Sequence, residues 1–322
     1  WWPSAEMSAG QLKAEIAQIH EAGFSGFEII YKNGGGVSGV DLEHYGWGTN
    51  AFNNLVEVAY DEAEQYGMQV DLTIGANWPA ALPTITPDDD TASKILAYEV
   101  LSLSNADFLE QNGQLIYTGK TPRPAPTAET AQKQDLIAII AAKMTGESRM
   151  DRETVYAAAT GERNDLEIPV ALMDPDSLTV VSTKEDFTWT LPGNENPEDY
   201  LLFGFYMQGN GHAVSGTTAQ TSYAIDHYSR EATEEVTEYW ENIILTDKIR
   251  EHLETFGGDL FEDSLELKSN QIPWTKLMLE EFSSRNGYDL IRYLPVLIDR
   301  FPAIGFMQSA PTCQRYGFAD QT

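Results

Sequence analysis

Gly26-Phe27-Glu28-Ile29-Ile30-Tyr31, then Asn50 to Tyr66, then Met68-Gln69-Val70-Asp71-Leu72-Thr73-Ile74 is the stretch that decides the fold. The first and last segments are short apolar runs rich in strand formers. The middle segment carries helical spacing, with Thr49 before it as a cap and Gly67 after it as a stop. Upstream the same grammar repeats. Ser8 is placed to cap a helix over Gln11 to Ala22, in which Leu12, Ile16 and Ile19 recur on one face, and Gly23 ends it. Trp1 and Trp2 read as the end of a still earlier strand. Strand, helix, strand, helix, strand at this spacing predicts parallel βα units. Short strands followed by long loops favour a (β/α)8 TIM-type barrel over an open sheet. No Gly-x-Gly-x-x-Gly opens either helix, which disfavours a dinucleotide fold.

The pattern changes after the third strand. Between about Tyr98 and Met207 the strand candidates are 100–103, 114–117, 136–143, 154–156, 178–181, 187–190 and 200–207. The loop with Pro122, Pro124 and Pro126 and the Gly193-to-Pro197 turn lie between them. Many short strands separated by turns predict an inserted β-sandwich-like domain. Helical spacing resumes at Arg230, with Ser229 as cap, and again over Asp247 to Thr255. Asp259 to Glu266 then reads as a fourth barrel strand running into a loop, followed by helical segments at Thr275 to Arg285 and, in part, Tyr288 to Phe301. The expected organisation is therefore barrel over 1–97, a β-rich insertion over 98–210, and barrel again over 211–322. About the first four βα units would be present. The opening Trp1-Trp2-Pro3 is neither an initiator methionine nor a signal peptide, and Tyr316 to Thr322 stops without a terminator. The chain thus reads as cut at both ends.

Fifty Asp plus Glu against twenty Lys plus Arg give a formal charge of −30. That surface repels phosphate backbones and anionic membranes, so neither nucleic acid nor membrane is an expected partner. No apolar run is long enough to span a bilayer. The lone Cys313 excludes an intrachain disulfide and a cysteine-based metal site. No His-x-x-x-His pair points to zinc, and no Gly-x-Ser-x-Gly elbow points to a serine hydrolase.

In a barrel the chemistry lies at the C-terminal strand ends. Strand 2 carries Glu28 and Tyr31, strand 3 leads to Asn77 and Trp78, and strand 4 leads to Glu262, Asp263 and Glu266. Glycoside hydrolysis needs two carboxyl groups flanking the scissile bond. Glu266, just past strand 4, is the candidate acid; its plain alternative is a solvated loop carboxylate. Glu262 and Asp263 alternate along the strand, so one faces the barrel mouth, while Asp263 could instead cap a turn. Asp226-His227 could bind sugar hydroxyls or a cation, or serve only as a helix-terminal acid and a satisfied histidine. Asn77-Trp78-Pro79 offers a sugar platform or a buried Trp packing its loop. The remaining histidines, His20, His44, His212 and His252, are scattered.

At these residues the chain resembles glycoside hydrolase family 106, the α-L-rhamnosidase-like enzymes. The matching stretches are WWP at Trp1–Pro3, LKAEIAQIHEAGFSGFEI from Leu12, HYGWGT at His44–Thr49 and VDLTIGANWPAALPTITPDD at Val70–Asp89. YAIDHYSREAT at Tyr223–Thr233, EDSLEL from Glu262 and WTKLMLEEFSSRNGYDLIRYLPVL from Trp274 continue the match in order. The resemblance implies inverting hydrolysis of a terminal α-L-rhamnosyl or related deoxy-sugar linkage in an oligosaccharide or glycan. Glu266 would be the general acid, in an Asp-Ser-x-Glu segment whose third residue is Leu265 where Trp is common. The partner glutamate belongs to a later barrel strand and has no match before Thr322. No cofactor is required for the chemistry. Some members use a calcium ion near the sugar hydroxyls; its ligands here are not assigned. An extracellular or periplasmic setting follows from the family's habit of degrading external glycans. The competing readings are a glycosidase or polysaccharide lyase of other specificity, and a non-catalytic carbohydrate-binding fragment.

Overall fold

The structure, a computed structural model, describes residues 6–30, 40–76, 78–128, 131–157, 162–262, 265, 267, 272–298 and 315–319. The expected strand at Trp1-Trp2 and the residues Tyr31, Asn77, Asp263, Glu266 and Cys313 lie outside them. The chain divides into two compact units. One comprises 1–93 and 211–267, the other 94–210 and 268–322.

The first unit begins with helix α1 (Ala9–Glu21), strand β1 (Gly26–Ile29), the short helix α2 (Leu42–Tyr45), helix α3 (Asn50–Gln65), strand β2 (Gln69–Thr73) and strand β3 (Ala81–Leu82). Ser8 caps α1 in a reciprocal capping box with Gln11, and Thr49 caps α3 by accepting from the Phe52 amide. These side chains satisfy amide groups that the helix itself leaves unpaired.

The second unit follows with β4 (Lys94–Ser102), β5 (Phe108–Gln111), β6 (Gln114–Tyr117), β7 (Gln134–Ala157), β8 (Glu162–Met173), β9 (Thr179–Ser182) and β10 (Tyr200–Gly209). The chain re-enters the first unit through β11 (Ala213–Val214), β12 (Ser222–Ala224), α4 (Arg230–Tyr239), α5 (Asp247–Phe256) and β13 (Leu260–Phe261). It ends in the second unit with β14 (Ile272–Trp274), α6 (Met278–Asn286), a 3-10 segment at Ile291–Leu297, and β15 (Arg315–Phe318).

In the first unit β1, β2 and β13 lie side by side, all parallel, with β2 in the middle. Val70 and Leu72 of β2 and Ile29 of β1 are buried in one cluster with Leu12 and Ile16 of α1 and Phe52, Val56 and Tyr60 of α3. This is the amphipathic helix stripe meeting a sheet face. The fourth strand occupies Leu260–Phe261, the start of the stretch that reads as a strand running into a loop. Leu260 and Phe261 remain exposed, and β13 is paired on one side only among the described residues. Beyond the ends of the parallel strands a small antiparallel sheet joins β11, β12 and β3.

The second unit differs from the expected sandwich. Its described strands form one sheet in the order β14-β4-β10-β7-β8-β15, with β9 also on β7. The hairpin β5-β6 and the Phe187-to-Leu191 stretch cover one face, where Tyr117, Trp189, Tyr200 and Leu202 are buried. The other face buries Phe203 and Phe205 against Leu290, Leu294 and Ile298. Both faces are therefore covered, but by a hairpin and by helical segments rather than by a second full sheet. A β-bulge at Ile137 shifts the register within the sheet: Phe205 pairs with Ala138 but Tyr206 pairs with Leu136. One extra residue resets which side chains face which core.

Residues 272–298 and 315–319 also depart from the expectation that 211–322 continues the barrel. Ile272 and Trp274 extend the sheet on the β4 edge, and Leu294 is wholly buried on the sheet face. Apolar side chains at these positions find their cover on this sheet. Pro273 sits where a strand tolerates proline, on an edge. Strand β8 was not foreseen, and residues 187–190 form only a single bridge, Thr190 to Ile116.

Gly204 in β10 allows a close approach. A Cβ there would overlap the backbone of Pro122, whose loop lies over this sheet face. Gly204→Ala is expected to destabilise the second unit by about 1–3 kcal/mol through overpacking. Denaturant unfolding followed by tryptophan fluorescence measures it; an unchanged midpoint would contradict the packing described.

Candidate functional site at the ends of the parallel strands

Glu262 follows β13 directly, at the C-terminal end of the parallel strands. One of its carboxylate oxygens accepts from the Ala80 amide at 3.3 Å. Ala80 belongs to the loop after β2, which contains Trp78 and the cis Trp78–Pro79 peptide. On the other side of that loop β3 pairs with β12, and the Ile225 amide donates to the Ala80 carbonyl at 3.1 Å. Asp226 and His227 come next in the chain. Loops after β2, β12 and β13 thus converge, and the His227 Nε2 stands 4.0 Å from Glu262 Oε1.

The histidine is held firmly. Its Nδ1 is 2.9 Å from the Ile225 carbonyl oxygen. A carbonyl can only accept, so Nδ1 carries the hydrogen and Nε2 keeps its lone pair. The side chain is only 10% exposed, against 21% for Glu262. Burial holds the His227 pKa below the ordinary imidazole value, and this outweighs the opposing pull of the Ile225 hydrogen bond and the Asp226 charge. A neutral ring at pH 7 follows. Its Nε2 is buried and finds no hydrogen-bond partner among the described residues.

Asp226 is buried and works within the turn, where its Oδ1 accepts from the Tyr228 amide at 3.0 Å. Ser229 then caps α4 through the Ala232 amide. Further along, Trp240 donates from its ring nitrogen to the Ile74 carbonyl at the end of β2, at 2.8 Å. The helix widens there into a π turn over Trp240–Ile244, and Asn53 of α3 donates to the Ile243 carbonyl at 2.7 Å. These bonds hold the loop after β2 against α3 and α4. The Ala80 amide and Trp240 had no place in the sequence-based site. A backbone amide has no sequence signature, and Trp240 carries no motif that marks it out from the helix in which it follows α4.

Of the residues expected from sequence, the structure brings Glu262 and His227 together, with Asp226 adjoining. Glu28 lies farther down β1, in register with Asp71 of β2. Trp78 is partly buried in the loop beside Ala80. Asn77, Asp263 and Glu266 lie outside the described residues. Among the described residues no group of three or more His, Cys, Asp or Glu is arranged to hold a metal ion. No described helix is long and apolar enough to cross a membrane.

The second unit has a cleft of about 690 Å³ lined by Ile95, Ala97, Glu99, Arg123 and Gln208, among others. Its polar groups are spent on one another. Glu99 accepts from Lys120 and from the Arg123 amide, both at 2.9 Å, and Arg123 donates to Gln134 at 2.7 Å. Gln208 bonds Gln134 and Thr127. This network fastens the proline-rich loop and leaves the cleft less suited to a polar ligand than the His227–Glu262 pair.

His227 and His252 both have pKa values lowered first by burial. The unfolded chain therefore binds protons below about pH 6.5 that the native state resists. Their contribution to stability is complete above that value and is lost as pH falls through the folded pKa values. Unfolding midpoints measured from pH 8 to pH 5 should decline, and more gently in His252→Gln than in the parent protein. A flat profile in the parent would contradict the buried neutral rings.

No family model matches the chain, and no curated protein does. A solved structure does match: the rhamnosidase from Novosphingobium sp. PP1Y, with a TM-score of 0.56 and 13% sequence identity. The match covers 91% of this chain and 40% of the rhamnosidase chain. At that identity it is the fold that is shared, and this chain has a rhamnosidase-like fold spanning less than half the length of its neighbour.

Proposed function

We propose that the chain is part of the catalytic region of a glycoside hydrolase that releases a terminal α-L-rhamnosyl or related deoxy-sugar residue from a glycan. The observation that carries this reading is the meeting of His227, Glu262 and the Ala80 amide at the C-terminal ends of parallel strands, within a rhamnosidase-like fold. Parallel β/α folds place their ligands at this end of the strands. The three parallel strands and their helices are read as a portion of a (β/α)8 barrel of family 106 type. An extracellular or periplasmic setting belongs to the same proposal.

The chemistry proposed is a single displacement. Glu266 protonates the glycosidic oxygen, while a second carboxylate, supplied by a later barrel strand, deprotonates water on the opposite face of the sugar. Inverting enzymes hold such carboxyls roughly 6.5–9.5 Å apart. Glu266 lies four residues beyond Glu262, whose negative charge near the acid would raise its pKa and keep it protonated near neutrality. Glu262, His227 and Trp78 hold the sugar rather than cleave it.

A panel of aryl glycosides that includes the α-L-rhamnoside tests the reading. Release from the rhamnoside should fall by about 10²–10⁴-fold in Glu266→Gln, as expected for loss of a general acid. An unchanged rate would remove Glu266 from the mechanism. Release from a different sugar would change the specificity, and an unsaturated product absorbing in the ultraviolet would make the protein a lyase. Binding without turnover of any member would leave a carbohydrate-binding protein.

A further inference from the structure

Three segments of the first unit repeat one pattern. Glu21-Ala22-Gly23-Phe24 closes α1, Glu64-Gln65-Tyr66-Gly67 closes α3, and Glu254-Thr255-Phe256-Gly257 closes α5. Each sets an acid and an aromatic ring at a helix end, beside a glycine with positive φ: +90° at Gly23, +63° at Gly67 and +77° at Gly257. Strands β1, β2 and β13 begin directly afterwards. The Gln69 amide donates to the Ser25 carbonyl at 3.0 Å, and the Leu72 amide to the Asp259 carbonyl at 3.1 Å. The three turns therefore lie side by side at the N-terminal ends of the parallel strands, the end opposite Glu262. All three rings are open to solvent: Phe24 is 62% exposed, Tyr66 36% and Phe256 47%.

Both features run against local preference. A helix C-terminus is the negative end of the dipole and favours cations, yet each of these ends carries an exposed glutamate. Each open ring leaves in water apolar area that burial would have used. Local rules broken the same way three times mark a surface made for contact. Two of the rings are also held in place. Tyr66 stacks on His20 with centroids 4.6 Å apart and planes 20° apart. Phe256 stacks on His252 at 4.7 Å and 30°, and His252 stacks in turn on Tyr60 of α3 at 3.9 Å. One face of each ring is thus spent on fixing it, and a ligand meets the other without reorganising it.

We propose that this surface holds a neutral glycan chain, with sugar rings laid on Phe24, Tyr66 and Phe256 and hydroxyl hydrogens given to Glu21, Glu64 and Glu254. It extends the glycan reading of the fold to the other end of the strands, where it retains substrate and takes no part in cleavage. Carboxylates and helix-end carbonyls only accept, so the ligand must be rich in donors. A sugar meets this need at its rim and offers C–H groups to the negative faces of the rings. A polyanion is repelled by the formal charge of −30. An apolar protein face would bury the three carboxylates without partners. A polycation would be drawn to so acidic a surface anywhere and would not need the rings.

The test is affinity electrophoresis of the whole chain through native gels containing galactomannan, xyloglucan, arabinoxylan or a neutral rhamnan. At least one polysaccharide should retard the protein. Phe24→Leu, Tyr66→Leu and Phe256→Leu should each weaken that retention by about 2–10-fold, the value of one aromatic contact. Leucine keeps the apolar bulk and removes the ring, and Tyr66→Phe should retain binding. Thermal melts identify any variant that fails to fold. Hydrolysis of a small aryl glycoside, measured alongside, should be unchanged in all of them, because the rings lie at the opposite end of the strands from Glu262.

Free passage of the parent protein through every gel overturns the proposal, and so does equal retention of parent and leucine variants. Ring-dependent binding of polylysine without retention by any glycan overturns it too, in favour of a cationic partner. A lower mass of the leucine variants in light scattering, with retention unchanged, would make the surface a contact between two copies of the chain. Hydrolysis without retention removes this surface and leaves the hydrolase. Ring-dependent retention without hydrolysis of any glycoside does the reverse.

Discussion

The pairing of β13 with β2 is the contact on which the first unit depends. Leu72 and Leu260 are register partners although the inserted residues separate them in sequence. The Leu72 and Ile74 amides donate to the Asp259 and Phe261 carbonyls at 3.1 and 3.0 Å, and the Asp71 side chain takes the Asp259 amide at 2.8 Å. Parallel pairing across so long an excursion carries a large loop-closure cost. The insertion reduces that cost by being a folded body with its own sheet and its own cores. This pairing sets Glu262 beside the loop after β2.

Much of the first unit was legible because its rules are local. The caps Ser8, Thr49 and Ser229, the helix starts they set, and the strands at 26–29 and 69–73 all follow from neighbouring residues. Where long-range packing decides, the reading departed from the structure. Strand β8 carries Arg163, Asp165 and Glu167 on its exposed positions, so it shows no apolar run until Ile168. The helical signal after Thr275 was correct in kind, yet its apolar residues pack on the second unit's sheet, which no periodicity can announce. The bulge at Ile137 also escaped notice, since a single residue more or less leaves no trace in an apolar strand.

The site shows the same division. Acidic residues near the end of a strand drew attention to Glu262, and the Asp226-His227 pair stood out beside a helix start. The tautomer lock from Ile225 and the Ala80 amide are backbone features and became visible only in three dimensions. Asp226, named for sugar contact, is occupied with the turn that presents His227. A buried neutral histidine, a carboxylate with one anchored oxygen and a fastened loop meet at the C-terminal ends of the parallel strands.

The most direct measurement of the central claim is a crystal structure of the protein soaked with methyl α-L-rhamnoside. The account predicts the sugar at the C-terminal ends of β1, β2 and β13, against the loops that carry His227 and Glu262. A sugar seated instead in the cleft between β4 and the proline-rich loop, with the His227–Glu262 recess empty, would contradict it.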